Sequence, residues 1–86
     1  MNVVMNYGIS NMEEKIKEII EDRLGISRND YRNDESFQED LGCDSLDMVD
    51  LIMECEKQFN ISIPDDDVDK LRTVQDLINY VTEHAK

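Results

Sequence analysis

Met48, Leu51, Ile52, Cys55 and Phe59 recur at steps of three and four. That spacing lines one face of an α-helix and predicts a helix over about Ser45 to Phe59. Leu46, Val49 and Met53 repeat the same steps on an adjacent face. The second stripe either widens the core face or forms an exposed apolar strip for docking. Asp47, Asp50, Glu54 and Glu56 flank the stripes. A chain of 86 residues has room for one small core, so this helix must be buried against a few others.

The others are readable by the same rule. Ser10-Asn11-Met12-Glu13 has the capping-box form and predicts the start of a first helix. Met12, Ile16, Ile19, Ile20 and Leu24 are its inward positions, and Gly25 followed by Ile26 is a natural stop. After Phe59, Ile61 and Ile63 alternate around Ser62 in an extended run, and Pro64 disfavours helical geometry in the residue before it. Asp65 to Leu71 forms a short third helix at best, with Val68 and Leu71 inward. Thr73 is placed to cap a fourth, whose Val74, Leu77, Ile78 and Val81 face the core. Residues 1–9 are expected as a flexible tail and residues 10–86 as one domain. The expected fold is all-α, a small four-helix bundle with a long first loop and a short third helix. That loop, Gly25 to Asp44, is longer than most connections in compact domains. Ile26, Tyr31, Phe37 and Leu41 are spaced to pin it to the core, and it delivers Ser45 to its position.

The formal charge is −12. Residues 34–69 hold thirteen acidic side chains against one basic, Lys57, while the remainder holds eight of each sign. The whole excess therefore lies on the segment containing Ser45. Such a surface repels nucleic acid and anionic membrane. It steers a basic protein partner, or it merely keeps a small protein in solution. No apolar run is long enough to cross a membrane, and residues 1–9 lack the features of a secretory signal. Two cysteines make neither a disulfide framework nor a zinc set, which points to a reducing cytoplasm.

Ser45 follows Asp40-Leu41-Gly42-Cys43-Asp44 at the predicted start of the second helix. Gly42 permits a sharp turn. A serine there is either a plain N-cap or the place where a phosphate ester is attached, since a helix N-terminus attracts phosphate. Catalysis is not expected. Serine needs an activating base, and the single histidine, His84, lies in the last helical turn. The carboxylates lie on predicted exposed faces, with no obvious pair poised for acid–base work. Asp65, Asp67, Asp69 and Asp76 have calcium-loop spacing, but Lys70 takes the sixth place, where that loop needs glycine. No metal site is assigned. Cys43 is read as a small side chain at the turn or as a thiol able to exchange with an attached group, and Cys55 as core.

The run Leu41-Gly42-Cys43-Asp44-Ser45-Leu46-Asp47 resembles the attachment site of acyl carrier proteins, whose signature is Asp-Ser-Leu after a Leu-Gly turn. The likeness continues through Val49-Asp50-Leu51-Ile52-Met53, Glu56-Lys57-Gln58-Phe59 and Ile61-Ser62-Ile63-Pro64-Asp65, and covers about Ser10 to Lys86. Cys43 departs from it, because the family often has a small apolar residue there. The resemblance implies that Ser45 bears 4′-phosphopantetheine, transferred from coenzyme A by a magnesium-dependent holo-carrier-protein synthase that Asp44 helps to engage. The arm's thiol holds a growing acyl chain as a thioester and carries it between fatty-acid synthesis enzymes. The alternative is a specialised carrier for a polyketide, aminoacyl or D-alanyl unit. The resemblance further implies a monomer that docks on basic surfaces of the synthase and pathway enzymes. Leu46, Val49 and Met53 would supply the apolar contact, and Asp47, Asp50, Glu54 and Glu56 the charges.

Overall fold

A computed structural model describes the backbone of residues 9–85 and the side chains of residues 12–85. The elements are α1 (Ile9–Leu24), α2 (Ser45–Phe59), α3 (Asp65–Val68) and α4 (Val74–His84), with a 3-10 turn at Arg28–Asp30. The tail expected at residues 1–9 lies outside the described residues, except for Ile9, which already belongs to α1.

The helices lie where the apolar periodicity puts them. α1 packs against both α2 and α4. Ile16 and Ile20 of α1 meet Leu51 and Cys55 of α2 and Val74, Leu77 and Val81 of α4 in a core closed to solvent. Burying each large aliphatic side chain contributes about 1.5–3 kcal/mol, which offsets the entropy of fixing the backbone. The segment 61–64 is extended, with Ile63 buried and Ser62 exposed. Leu71 is buried just beyond α3, which is only four residues long.

The start of α1 differs from expectation. Ser10 falls inside the helix rather than before it. Glu13, expected to reach back to the first turn, accepts instead from Asn33 Nδ2 at 3.0 Å and pairs with Lys17 Nζ at 3.1 Å. Asn33 sits on the long loop, so packing that loop onto α1 gives Glu13 a partner that local pattern does not contain. The C-terminus of α1 ends as expected. Gly25 takes φ +70° and its N–H donates to the Glu21 carbonyl at 3.0 Å. α2 ends on Asn60 at φ +55°, a conformation that asparagine tolerates better than most residues.

Tyr31 and Phe37 are buried, while Ile26 and Leu41 pack partly against the core. The long loop is thus pinned as its apolar spacing predicts. It is also stitched to the start of α4. Phe37 N–H donates to the Arg72 carbonyl at 2.9 Å, Val74 N–H to the Glu35 carbonyl at 3.3 Å, and Gln75 N–H to the Asn33 carbonyl at 2.7 Å. The Arg28 guanidinium pairs with Glu14 and Glu21, fastening the other end of the loop to α1.

Thr73 caps α4 as expected. Asp76 N–H donates to Thr73 Oγ1 at 3.0 Å, and Thr73 N–H donates back to Asp76 Oδ2 at 3.1 Å. Tyr80 O–H donates to Asp67 Oδ2 at 2.7 Å and ties α3 to α4. Holding that hydrogen bond pushes the Tyr80 phenol up to about 12. Asp67 and Asp76 are therefore engaged in holding the fold. Among the described residues no group of three or more metal-ligating side chains converges.

Candidate functional site

Gly42 turns the chain into α2 with φ +72°. Immediately after it, Cys43 N–H donates to the Phe37 carbonyl at 2.9 Å and the Cys43 side chain is buried. That anchor leaves Asp44, Ser45 and Leu46 on the outside. The local rule that a turn precedes a helix needs Gly42. The direction in which the helix start faces is set by the Cys43 anchor.

The cap of α2 is Asp44, not Ser45. Asp47 N–H donates to Asp44 Oδ1 at 2.9 Å, and Asp44 N–H donates to Asp47 Oδ2 at 3.2 Å. Ser45 is the first residue of the helix and is exposed. Its hydroxyl makes no hydrogen bond to the other described residues. A carboxylate is a cap of similar strength to serine, so pattern alone leaves the choice between neighbours open. The consequence is chemical. The oxygen expected as a possible cap is free for something else. The N–H groups of a helix's first turn lack intrahelical partners, and the positive pole of the helix suits an anion such as phosphate.

Replacing Asp44 by Ala should remove one side of this reciprocal cap. The expected cost is about 1 kcal/mol, a fall in melting temperature of about 4–8 °C. A variant that melts with the wild type would mean that Ser45 takes over the cap.

A cleft of about 650 Å³ opens beside Ser45. Phe37, Met48, Val49, Val68 and Leu71 supply its apolar lining, and Glu39, Asp69 and Arg72 are charged residues along it. Its walls come from the long loop, the start of α2 and the segment joining α3 to α4.

On the outer side of α2, Leu46, Val49 and Met53 are 79%, 52% and 61% exposed. The second stripe is therefore a solvent-facing strip and not a wider core. Its flanking carboxylates are unequal. Asp50 is exposed, and its Oδ1 lies 3.7 Å from Arg23 Nη1. Asp47 belongs to the α2 cap. Glu54 accepts from Gln58 Nε2 at 2.8 Å and from Arg23 Nη2 at 2.7 Å, and these contacts, Gln58 foremost, hold its carboxyl below its ordinary value. Glu56 Oε2 accepts the Ile63 N–H at 2.7 Å and so fixes the extended segment after α2.

Neither thiol is poised to react. Burial, helped by the charges of Asp47 and Asp44, raises Cys43 above its ordinary value. Burial pushes Cys55 up to about 12. Thiols so shifted stay protonated and unreactive near neutral pH. His84 stacks on Tyr80 with ring centroids 3.9 Å apart, and its Nδ1 lies 2.8 Å from the Tyr80 carbonyl.

A family model described as "phosphopantetheine attachment site" matches residues 14–81, from the second turn of α1 almost to the end of α4.

Proposed function

The chain belongs to the phosphopantetheine-attachment family of carrier proteins, and we propose that Ser45 is the residue that bears the arm. Members of this family are carriers and not catalysts, and they hold 4′-phosphopantetheine covalently. Bound, the group supplies a terminal thiol on which an acyl unit is held as a thioester. The observation that carries the assignment is an exposed serine hydroxyl at the first position of α2, released from capping by Asp44. The fit is chemical as well as steric. A phosphodiester at that oxygen meets the positive pole of α2, and the turn at Gly42 leaves the approach open.

The cargo is an acyl chain, and the pathway is fatty-acid synthesis in the cytoplasm. The cleft beside Ser45 supports an apolar cargo, because Phe37, Met48, Val49, Val68 and Leu71 line it. Among the described residues no helix is long and apolar enough to cross a membrane. Mass spectrometry of the protein purified from its source tests the cargo. Linear saturated acyl thioesters support the reading; an aminoacyl, D-alanyl or polyketide unit would replace it with a specialised carrier.

Docking runs along α2. Leu46, Val49 and Met53 form the apolar contact, and Asp44, Asp47, Asp50, Glu54 and Glu56 form an acidic border that suits a synthase and pathway enzymes with Lys and Arg around their sites. Replacing Val49 and Met53 together by Ala should leave the fold intact, because both are exposed. The carrier's KM for phosphopantetheine transfer should rise by about tenfold, as expected from losing two contacts worth about 0.7 kcal/mol each. An unchanged KM would move the docking surface elsewhere.

A further inference from the structure

Arg23 closes the last turn of α1 and reaches across to α2. Its guanidinium stands 2.7 Å from Glu54 Oε1 and 3.7 Å from Asp50 Oδ1. The two carboxylates lie four residues apart on one face of α2, and the planar fork of an arginine can serve both at once. The second oxygen of Glu54 is taken by Gln58. Only 13% of the Glu54 side chain remains exposed. The exposed strip of α2 is thus bordered, on the α1 side, by carboxylates that already hold a cation from the same chain.

We propose that Arg23 is an internal substitute for a partner's cation: in the free protein it occupies Asp50 and Glu54, and a basic partner must displace it to dock. The inference rests on the reading of α2 as the docking face and adds what sets the affinity there. Arg23 is itself partly solvated, with 35% of its side chain exposed. Ion pairs of that kind hold weakly, so the arginine can be displaced without unfolding α1. Its presence tempers attraction between an acidic carrier and its basic partners. That suits a shuttle, which must leave each partner quickly.

The test compares the carrier's KM for phosphopantetheine transfer, with coenzyme A and a carrier-protein synthase, among wild type, Arg23→Ala, Arg23→Gln and Lys57→Ala. Lys57 is the control. It is an exposed cation on the same helix whose charge reaches Glu54 without an ion pair to it, so its loss changes net charge equally but frees no bonded carboxylate oxygen. Arg23→Ala and Arg23→Gln should retain the wild-type circular dichroism and lower KM about threefold at low salt. The gain should shrink as salt rises to about 0.5 M. Lys57→Ala should lower KM by less than half that factor. Combining Arg23→Ala with Glu54→Gln should return less of the gain than Arg23→Ala alone, because the uncovered carboxylate is gone. The inference is overturned if the folded Arg23 variants show an unchanged or higher KM, or if Lys57→Ala matches them. Those results would leave the carrier reading intact. A wild-type chain that the synthase never modifies removes the carrier reading and this inference together.

Discussion

Ser45→Ala abolishes attachment of the arm: after incubation with coenzyme A and a carrier-protein synthase, intact-mass measurement should find one phosphopantetheine on the wild-type chain and none on the variant. The loss is expected to be complete, because the serine oxygen becomes part of the phosphodiester and alanine has no atom to replace it. The effect should be separable from folding. Ser45 is exposed, its hydroxyl is not the α2 cap, and alanine is a good residue inside a helix. The melting temperature should therefore stay within about 2 °C of wild type. A variant that still gains the group would shift attachment to another serine. Ser36 on the cleft wall is engaged by the Glu39 N–H at 3.1 Å, while Ser62 is exposed on the segment after α2. A wild-type chain that stays bare under the same conditions would sink the assignment of Ser45.

Phe37→Ala has the second largest expected effect, on stability. Phe37 is 1% exposed and lies in the long loop, where its N–H also donates to Arg72. Deleting a buried phenylalanine side chain costs about 3–5 kcal/mol, the sum of lost transfer energy and a cavity that the surroundings only partly fill. A domain of this size has about 4–13 kcal/mol in total. The melting temperature should drop by at least about 12 °C, read by circular dichroism. The consequence for the site follows from position. Phe37 lies in one wall of the cleft, and its carbonyl holds the Cys43 N–H that orients the start of α2. The variant should therefore also accept phosphopantetheine more slowly at temperatures where it is still folded. A drop of less than about 5 °C would mean that the loop is held chiefly by its backbone bonds to α4.

The positions of α1, α2 and α4 were legible because each carries an apolar residue every three or four places. Thr73 as a cap and Gly25 as a stop were legible because both act within one turn of chain. Ser45 stood out for a similar reason, as a small hydroxyl just after a glycine turn and at the head of the strongest stripe. Three details were not. Ser10 and Glu13 have the form of a capping box, yet Glu13 is held by Asn33 and Lys17. Asp44 and Ser45 are both good caps, and only the turn through Gly42 and Cys43 put Asp44 in that place. Glu54 and Glu56 look like equal members of an acidic face, yet one holds Arg23 and the other the Ile63 N–H.

The helices, the two apolar stripes of α2 and the serine at its start follow from the order of residues alone, because periodicity, glycine and caps act over a few residues. Packing settled the rest: the stitching of the long loop to α4, the exposure of the second stripe of α2, the direction in which Ser45 faces, and which carboxylates on α2 are already occupied. Arg23 and Glu54 are separated by 31 residues, and Phe37 is joined to Arg72 across α2 and α3. Pairings of that reach depend on how α1, α2 and the loop pack around one core, which no local pattern encodes.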